Sequence, residues 1–123
     1  MIKRVQISWL DKPEDQDYAA AGSYLNLLFD KKKTAICVDQ LKRSPMTEFK
    51  AKDIFRASAL PLLGIVNSHV SRDKQKILSK AKLSPILLVR DSQNGKVIIA
   101  DGYHRMCAVY YYDEDAVIPC QII

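Results

Sequence analysis

Apolar positions recur at helical spacing in the first third of the chain, then give way from residue 47 onward to short alternating or branched runs separated by turn residues. The tract Tyr18-Ala19-Ala20-Ala21, with Tyr24, Leu25, Leu27, Leu28 and Phe29, follows the acidic stretch 11–17 and predicts a helix over about 17–29. Asp15 or Asp17 suits its N-cap and places favourable charge at the positive helix end. A second helix over about 34–43 buries Ile36, Cys37 and Leu41, and stops at Ser44-Pro45 because a residue before proline is pushed out of the α region. The run Lys31-Lys32-Lys33 reads as a solvated connection between the two helices.

Beyond residue 46, Thr47 to Ala51 alternates like an edge strand, and Asp53 suits the cap of a short helical turn reaching Arg56. The segment 69–81 predicts a helix on which Val70, Ile77 and Ala81 make the core line, with His69, Arg72, Lys76 and Lys80 as a neighbouring basic line. Ile86-Leu87-Leu88-Val89 then reads as a buried strand, Asn94-Gly95 as a hairpin turn, and Val97 to Ala100 as the returning strand. A helix over about 103–112 follows, broken by Asp113-Glu114-Asp115, and 117–123 makes a last strand. Pro119, lacking a donor, should keep its part of that strand away from the sheet centre.

A chain of 123 residues is the size of one domain, so the expectation is a helical extension (1–46) packed on the same core as an α+β domain (47–123). With 48% apolar and 27% charged residues, disordered and low-complexity classes are excluded. No apolar run approaches the roughly 18 to 20 residues of a membrane span, and Met1-Ile2-Lys3-Arg4 lacks the apolar continuation of a signal peptide; a cytoplasmic protein with no membrane partner is expected. Cys37, Cys107 and Cys120, odd in number and widely spaced, read as small buried hydrophobes rather than a disulfide framework. The net charge of +5 is unevenly spread: residues 31–90 carry fourteen bases and four acids, whereas both flanking segments are acidic. Such a segment suits phosphate-bearing partners, nucleic acid included, or simply a solvated face.

Candidate chemistry concentrates at Asp101-Gly102-Tyr103-His104-Arg105, where a buried strand should end and a helix begin. A glycine at a helix start lets an anion approach unpaired N–H groups; Arg105 adds a fork of donors, and His104 adds a donor able to move a proton near neutral pH. Plain structural roles fit the same residues: Asp101 as an N-cap, Tyr103 as a first-turn residue, His104 as a satisfied histidine, Arg105 as a partner of Asp101 or Asp113. His69 and His104 have no zinc-ligand spacing, and no P-loop or G-x-S-x-G pattern is present.

A polar helix, Leu83-Ser84-Pro85 with its apolar strand, the hairpin, Gly102-Tyr103-His104-Arg105, Ala108 and the closing Ile118-Pro119-Cys120-Gln121-Ile122 together resemble the ParB/sulfiredoxin superfamily, and in particular its bacterial ParB-like domain proteins. The resemblance covers roughly residues 47–123. It implies a small mixed sheet with flanking helices. It further implies that Gly102, His104 and Arg105, with Tyr103 among them, fall on the family's nucleotide-phosphate motif, and that His69, Arg72 and Lys76 face the same ligand, ATP or CTP with Mg²⁺. Sulfiredoxins carry their nucleophilic cysteine where this chain has Tyr103, which cannot form the sulfur-linked intermediate; ParB proteins continue into a DNA-reading helix-turn-helix, whereas this sequence stops at its last strand. Sulfinic-acid repair and partition are both disfavoured.

The expectation is therefore a nucleotide- or phosphate-binding protein, with phosphoryl transfer or nucleotide hydrolysis as its natural chemistry and Asp101 and His104 as catalytic groups. Asp101 with Asp91 could seat a magnesium ion beside the phosphates. The alternatives are a non-catalytic nucleic-acid-binding module using the basic middle segment, and a ParB-like nuclease. Tyr110, Tyr111 and Tyr112 read as core and helix-end residues rather than stacking platforms.

Overall fold

Ile86 to Val89 are all buried because their strand is covered on both faces. In the computed structural model, which describes residues 5–64 and 66–123, that strand belongs to an α+β fold with a four-stranded mixed sheet and five α-helices. In chain order the elements are α1 (Asp15–Leu25), α2 (Lys31–Arg43), β1 (Thr47–Lys50), α3 (Ala51–Ser58), α4 (Ser68–Leu78), β2 (Ile86–Asp91), β3 (Lys96–Asp101), α5 (Tyr103–Tyr112) and β4 (Val117–Ile122). The spatial order is β1-β4-β2-β3; β4 runs parallel to β2, and the two outer pairs are antiparallel.

Strand alternation divides the core. Ile86, Leu88, Val97, Ile99, Ile118 and Cys120 pack with α3, α4 and α5 on one face, whereas Leu87, Val89 and Ala100 meet Tyr18, Ala21 and Leu25 of α1 and Cys37 and Leu41 of α2 on the other. The N-terminal helices thus form the second cover of the sheet. One buried amide joins them to it: the Tyr18 hydroxyl donates to Gln121 Oε1 of β4, and Gln121 Nε2 donates to the Ser44 carbonyl at the end of α2, 2.8 Å away.

Several local expectations change on folding. α1 is capped at Glu14, with Asp17 supplying the reciprocal half of a capping box by accepting from the Glu14 N–H at 2.8 Å. It ends at Leu25 rather than Phe29, because the next residues tighten into a turn that frees Asp30 to cap α2 through the Lys33 N–H; Leu27 and Leu28 are left exposed. That cap also draws Lys31, Lys32 and Lys33 into the first turn of α2, so they are helix rather than connection. Ile36 is half exposed, one step off the Thr34–Cys37–Leu41 stripe that faces the sheet. Asp53 lies inside the first turn of α3 and does not cap it; the carbonyls of Ala116 and Glu114 receive the N–H groups of Ala51 and Lys52 instead. α4 stops at Leu78, and Lys80 takes a left-handed conformation at φ 62°, so Lys80 leaves the basic line and Ala81 is exposed rather than core.

The edge strand β1, the β2–β3 hairpin and α5 fall where the pattern puts them, and the three cysteines are free and buried. The hairpin turn is a four-residue loop of one 3₁₀ turn closed by left-handed Gly95 at φ 64°, with Asn94 donating to both Asp91 oxygens. Pro119 lies within an internal strand, but only β1 pairs at its level: the ladder to β2 begins at Cys120, so β4 changes partners just past the residue that lacks a donor. Among the described residues no helix is long and apolar enough to cross a membrane.

Replacing Tyr18 by Phe should lower unfolding stability by about 1–2 kcal/mol, because Gln121 Oε1 keeps its burial and loses its donor. Urea unfolding of Tyr18→Phe beside the parent chain measures it, with an unchanged m-value expected.

Candidate functional site

At the end of β3 the chain must leave a buried strand and enter a helix within one residue, and Gly102 does so at φ 109°. A Cβ there would lie 2.7 Å from Ile86 Cγ1 and 3.0 Å from Arg105 Nη2, so both backbone conformation and space exclude a side chain. No side chain caps α5. The first amides of this ten-residue helix are therefore left facing whatever lies beyond its positive end.

Beyond that end is a polar pocket of about 200 Å³, lined by His69, Arg72, Asp73 and Lys76 from α4 and by Asp101 to Arg105 from the β3–α5 junction. The two segments meet because α4 packs along α5 through Val70 and Ile77. The residues nominated from the sequence for phosphate binding and catalysis, namely His69, Arg72, Lys76, Asp101, Gly102, Tyr103, His104 and Arg105, all line this one pocket. The His69 and His104 rings lie 4.7 Å apart, with the Tyr103 ring 5.5 Å from His104. Tyr103 is tied at its far end, its hydroxyl donating to the Pro61 carbonyl.

Arg105 is already engaged. Its Nη2 donates to Asp101 Oδ2 at 2.9 Å, reaches the Pro85 carbonyl at 3.4 Å and stands 4.0 Å from Asp17 Oδ1, while its Nε is buried with no acceptor. Of the plain roles open to it, the pairing with Asp101 is the one formed. Burial pushes the Asp101 carboxyl above its ordinary range, Arg105 pulls it back, and Asp17 pushes it up again by charge and hydrogen bonding. Burial likewise raises Asp73, against the pull of Arg105, Lys76, His104 and Arg72. His104 is held below its ordinary 6.5 by burial and then by His69, so the neutral ring is favoured.

Asp73 and Asp17 were missed. Asp73 completes the series His69, Arg72, Asp73, Lys76, which is one full helical face, and following only its bases hides it. Asp17 gave no local signal, since 84 residues separate it from Asp101. Asp91 does not join Asp101 as a magnesium seat: Leu87 pairs with Asp101 and Asp91 with Lys96, so the carboxylates lie at opposite ends of the hairpin, about 13 Å apart along β2. Among the described residues no group of three or more His, Cys, Asp or Glu is placed to hold a metal. The basic middle segment does not form one surface either, because α2 and α4 lie on opposite faces of the sheet. Of the tyrosines read as core and helix-end residues, Tyr111 is half exposed, with Lys74 Nζ 5.2 Å from its ring centre. Burial raises Cys107, and pushes Cys120 to about 11, so both thiols stay protonated and act as apolar packing.

Comparison of the chain with models of protein families, with curated proteins and with solved structures gives no match.

Gly102→Ala should cost about 2–4 kcal/mol, adding left-handed strain to a clash with Ile86; equilibrium denaturation reads it directly. His104 generates a pH dependence. Its folded value lies below the unfolded 6.5, so the unfolded chain takes up the proton first, and stability is lost as pH falls from about 6.5 through the folded value. Thermal midpoints between pH 8 and 5 should show this slope reduced in His104→Gln.

Proposed function

We propose that this chain is a ParB/sulfiredoxin-like domain that binds the phosphate end of a nucleotide or related ligand at the opening of α5. The observation that carries the reading is the convergence of an uncapped helix start, Arg72 and Lys76 on one polar pocket. The α5 amides approach the phosphate oxygens where Gly102 bares the backbone, and Arg72 and Lys76 close over them from α4. A volume of about 200 Å³ suits a phosphate group and leaves a nucleoside outside, beside the His69 and His104 rings. Arg105 acts chiefly on Asp101, holding the carboxylate that is the candidate base for a water attacking phosphorus. Its raised proton affinity favours that role over a passive ion-pair partner. His104, largely neutral, serves as a hydrogen-bond partner of the ligand and a second proton carrier. Asp101 is also the one lining carboxylate beside the β3–α5 turn able to contact a phosphate-bound Mg²⁺.

Calorimetric titration with ATP, CTP and GTP, with and without Mg²⁺, tests the reading. At least one should bind, and Arg72→Ala/Lys76→Ala should weaken it by about tenfold or more. Asp73→Asn, which removes a negative charge from the pocket wall, should tighten binding several-fold. Failure of all three nucleotides and of inorganic phosphate to bind would remove the proposal. Arg105→Ala is the wrong probe, since it leaves Asp17 and Asp101 facing one another and should unfold much of the sample. Turnover is read separately as phosphate release that Asp101→Asn abolishes while binding persists.

A further inference from the structure

The helices α1 and α2 form a hairpin, since the groove between them runs from Asp15 and Lys42 at one end to Asn26 and Lys31 at the other. Residues 26–30, which join them, are its tip, about 16 Å along α1 from the acidic first turn. The core does not use what the tip carries. Leu27 is 82% exposed and Leu28 48%, and neither belongs to the apolar cluster beneath α1, which takes Leu25 and Phe29 instead. Tyr24 in the last turn of α1 and Ile36 in the second turn of α2 are also about half exposed. At such exposure Leu27 is a projection and not the wall of a groove.

The charge beside these leucines is cationic. Lys31, Lys32 and Lys33 make the first turn of α2; all three are exposed, and none makes an ion pair among the described residues. Helical side chains tilt toward the N-terminus, so these lysines lean back over the tip, and Lys33 Nζ stands 4.3 Å from the centre of the Phe29 ring. The one acid among residues 26–33, Asp30, caps α2 through the Lys33 N–H. Three cations at the positive end of a helix are unfavourable for α2 itself, so local folding does not account for them. Apolar side chains projecting among lysine tails match a surface with negative charge outside and hydrocarbon beneath. Protein interfaces deplete lysine and favour the fixed fork of arginine, whereas a layer of mobile anions is met equally well by lysine.

We propose that the α1–α2 tip docks this chain on an anionic lipid surface, with Leu27 and Leu28 entering the boundary between headgroups and acyl chains and Lys31, Lys32 and Lys33 lying against the lipid phosphates. The contact is peripheral and needs no membrane-spanning helix. It stands or falls without the phosphate pocket: Asp17, near the start of α1, is the residue that approaches Arg105, so the tip lies at the far end of that helix.

Co-sedimentation of the full chain with lipid vesicles tests the assignment. Vesicles with about 30% phosphatidylglycerol in phosphatidylcholine should bind it and pure phosphatidylcholine should not, with binding falling at least about tenfold between about 50 and about 300 mM salt. Lys31→Gln/Lys32→Gln/Lys33→Gln should weaken binding about fivefold per charge, roughly a hundredfold in all. Leu27→Ser/Leu28→Ser should weaken it at least about tenfold and keep the salt dependence. These side chains are on the surface, so both variants should keep the fold. An environment-sensitive dye on Leu27→Cys, selective because the three native thiols are buried, should shift to the blue on anionic vesicles. Arg72→Ala/Lys76→Ala should bind vesicles as the parent does. No binding at low salt, equal binding to both vesicles, an unshifted dye, or binding unaffected by the leucine changes would each overturn the proposal. So would loss of binding in the Arg72/Lys76 variant, which would assign the headgroup to the α5 pocket, or poly-glutamate bound more tightly than vesicles, which would reassign the tip to a protein partner.

Discussion

A single guanidinium nitrogen, Nη2 of Arg105, is the polar point at which α1, the approach to β2 and the end of β3 come together. Within 4.0 Å it has the carboxylates of Asp101 at the end of β3 and Asp17 on α1, and the carbonyl of Pro85 ahead of β2. Burying these charges is costly, and one cation between two carboxylates does not neutralise them. Burial raises the proton affinity of Asp101, and Asp17 adds to the rise against the pull of Arg105. A buried ion group of this kind adds little net stability but penalises any other arrangement heavily, because removing one member strands the rest. Gly102 adjoins it: a Cβ there would lie 2.7 Å from Ile86 Cγ1 and 3.0 Å from Arg105 Nη2, so the turn that exposes the α5 amides and the ion pair that fixes Asp101 are close neighbours.

This constraint sets the character of the pocket. With Arg105 Nη2 engaged by acids, the cations left for a ligand are Arg72 and Lys76, and Asp73 between them tempers their field. The excess charge of the middle segment adds little, since α2 and α4 face opposite ways. The field at a site depends on which charges the fold brings within a few ångströms, since screening removes those farther than a Debye length of about 8–10 Å.

The legible features were those fixed by local chemistry. Asn94-Gly95 marked the hairpin, the Gly102 junction marked α5, and the helical spacing of Val70 and Ile77 oriented α4, so the basic line fell toward the pocket. What misled was competition between neighbouring signals. Asp30 is a better cap than anything nearer residue 34, so α2 starts early with three lysines in an electrostatically poor place. Leu27 and Leu28 carry the helical apolar spacing past the point where the chain must turn, which is why α1 read as longer than it is. Asp17 was illegible in its second role, because a capping box explains it locally and its approach to Arg105 depends on the packing of α1 across the sheet.

The polar pocket, and an apolar hollow of about 400 Å³ beside α3 near the β2–β3 turn, follow from unequal cover of the same sheet. The helices α4 and α5 meet over the Asp101 end of β3, so that end is closed except where polar side chains line the gap. Toward Arg90 and Lys96 the cover on that face is α3, whose eight residues span only about 12 Å, against about 20 Å for the six-residue strands beneath it. The strand alternation that builds the core continues through Leu88, Val97 and Ile122, and the hollow opens beside them. Arg90, next on that face after Leu88, marks the point at which the pattern turns from core to solvent.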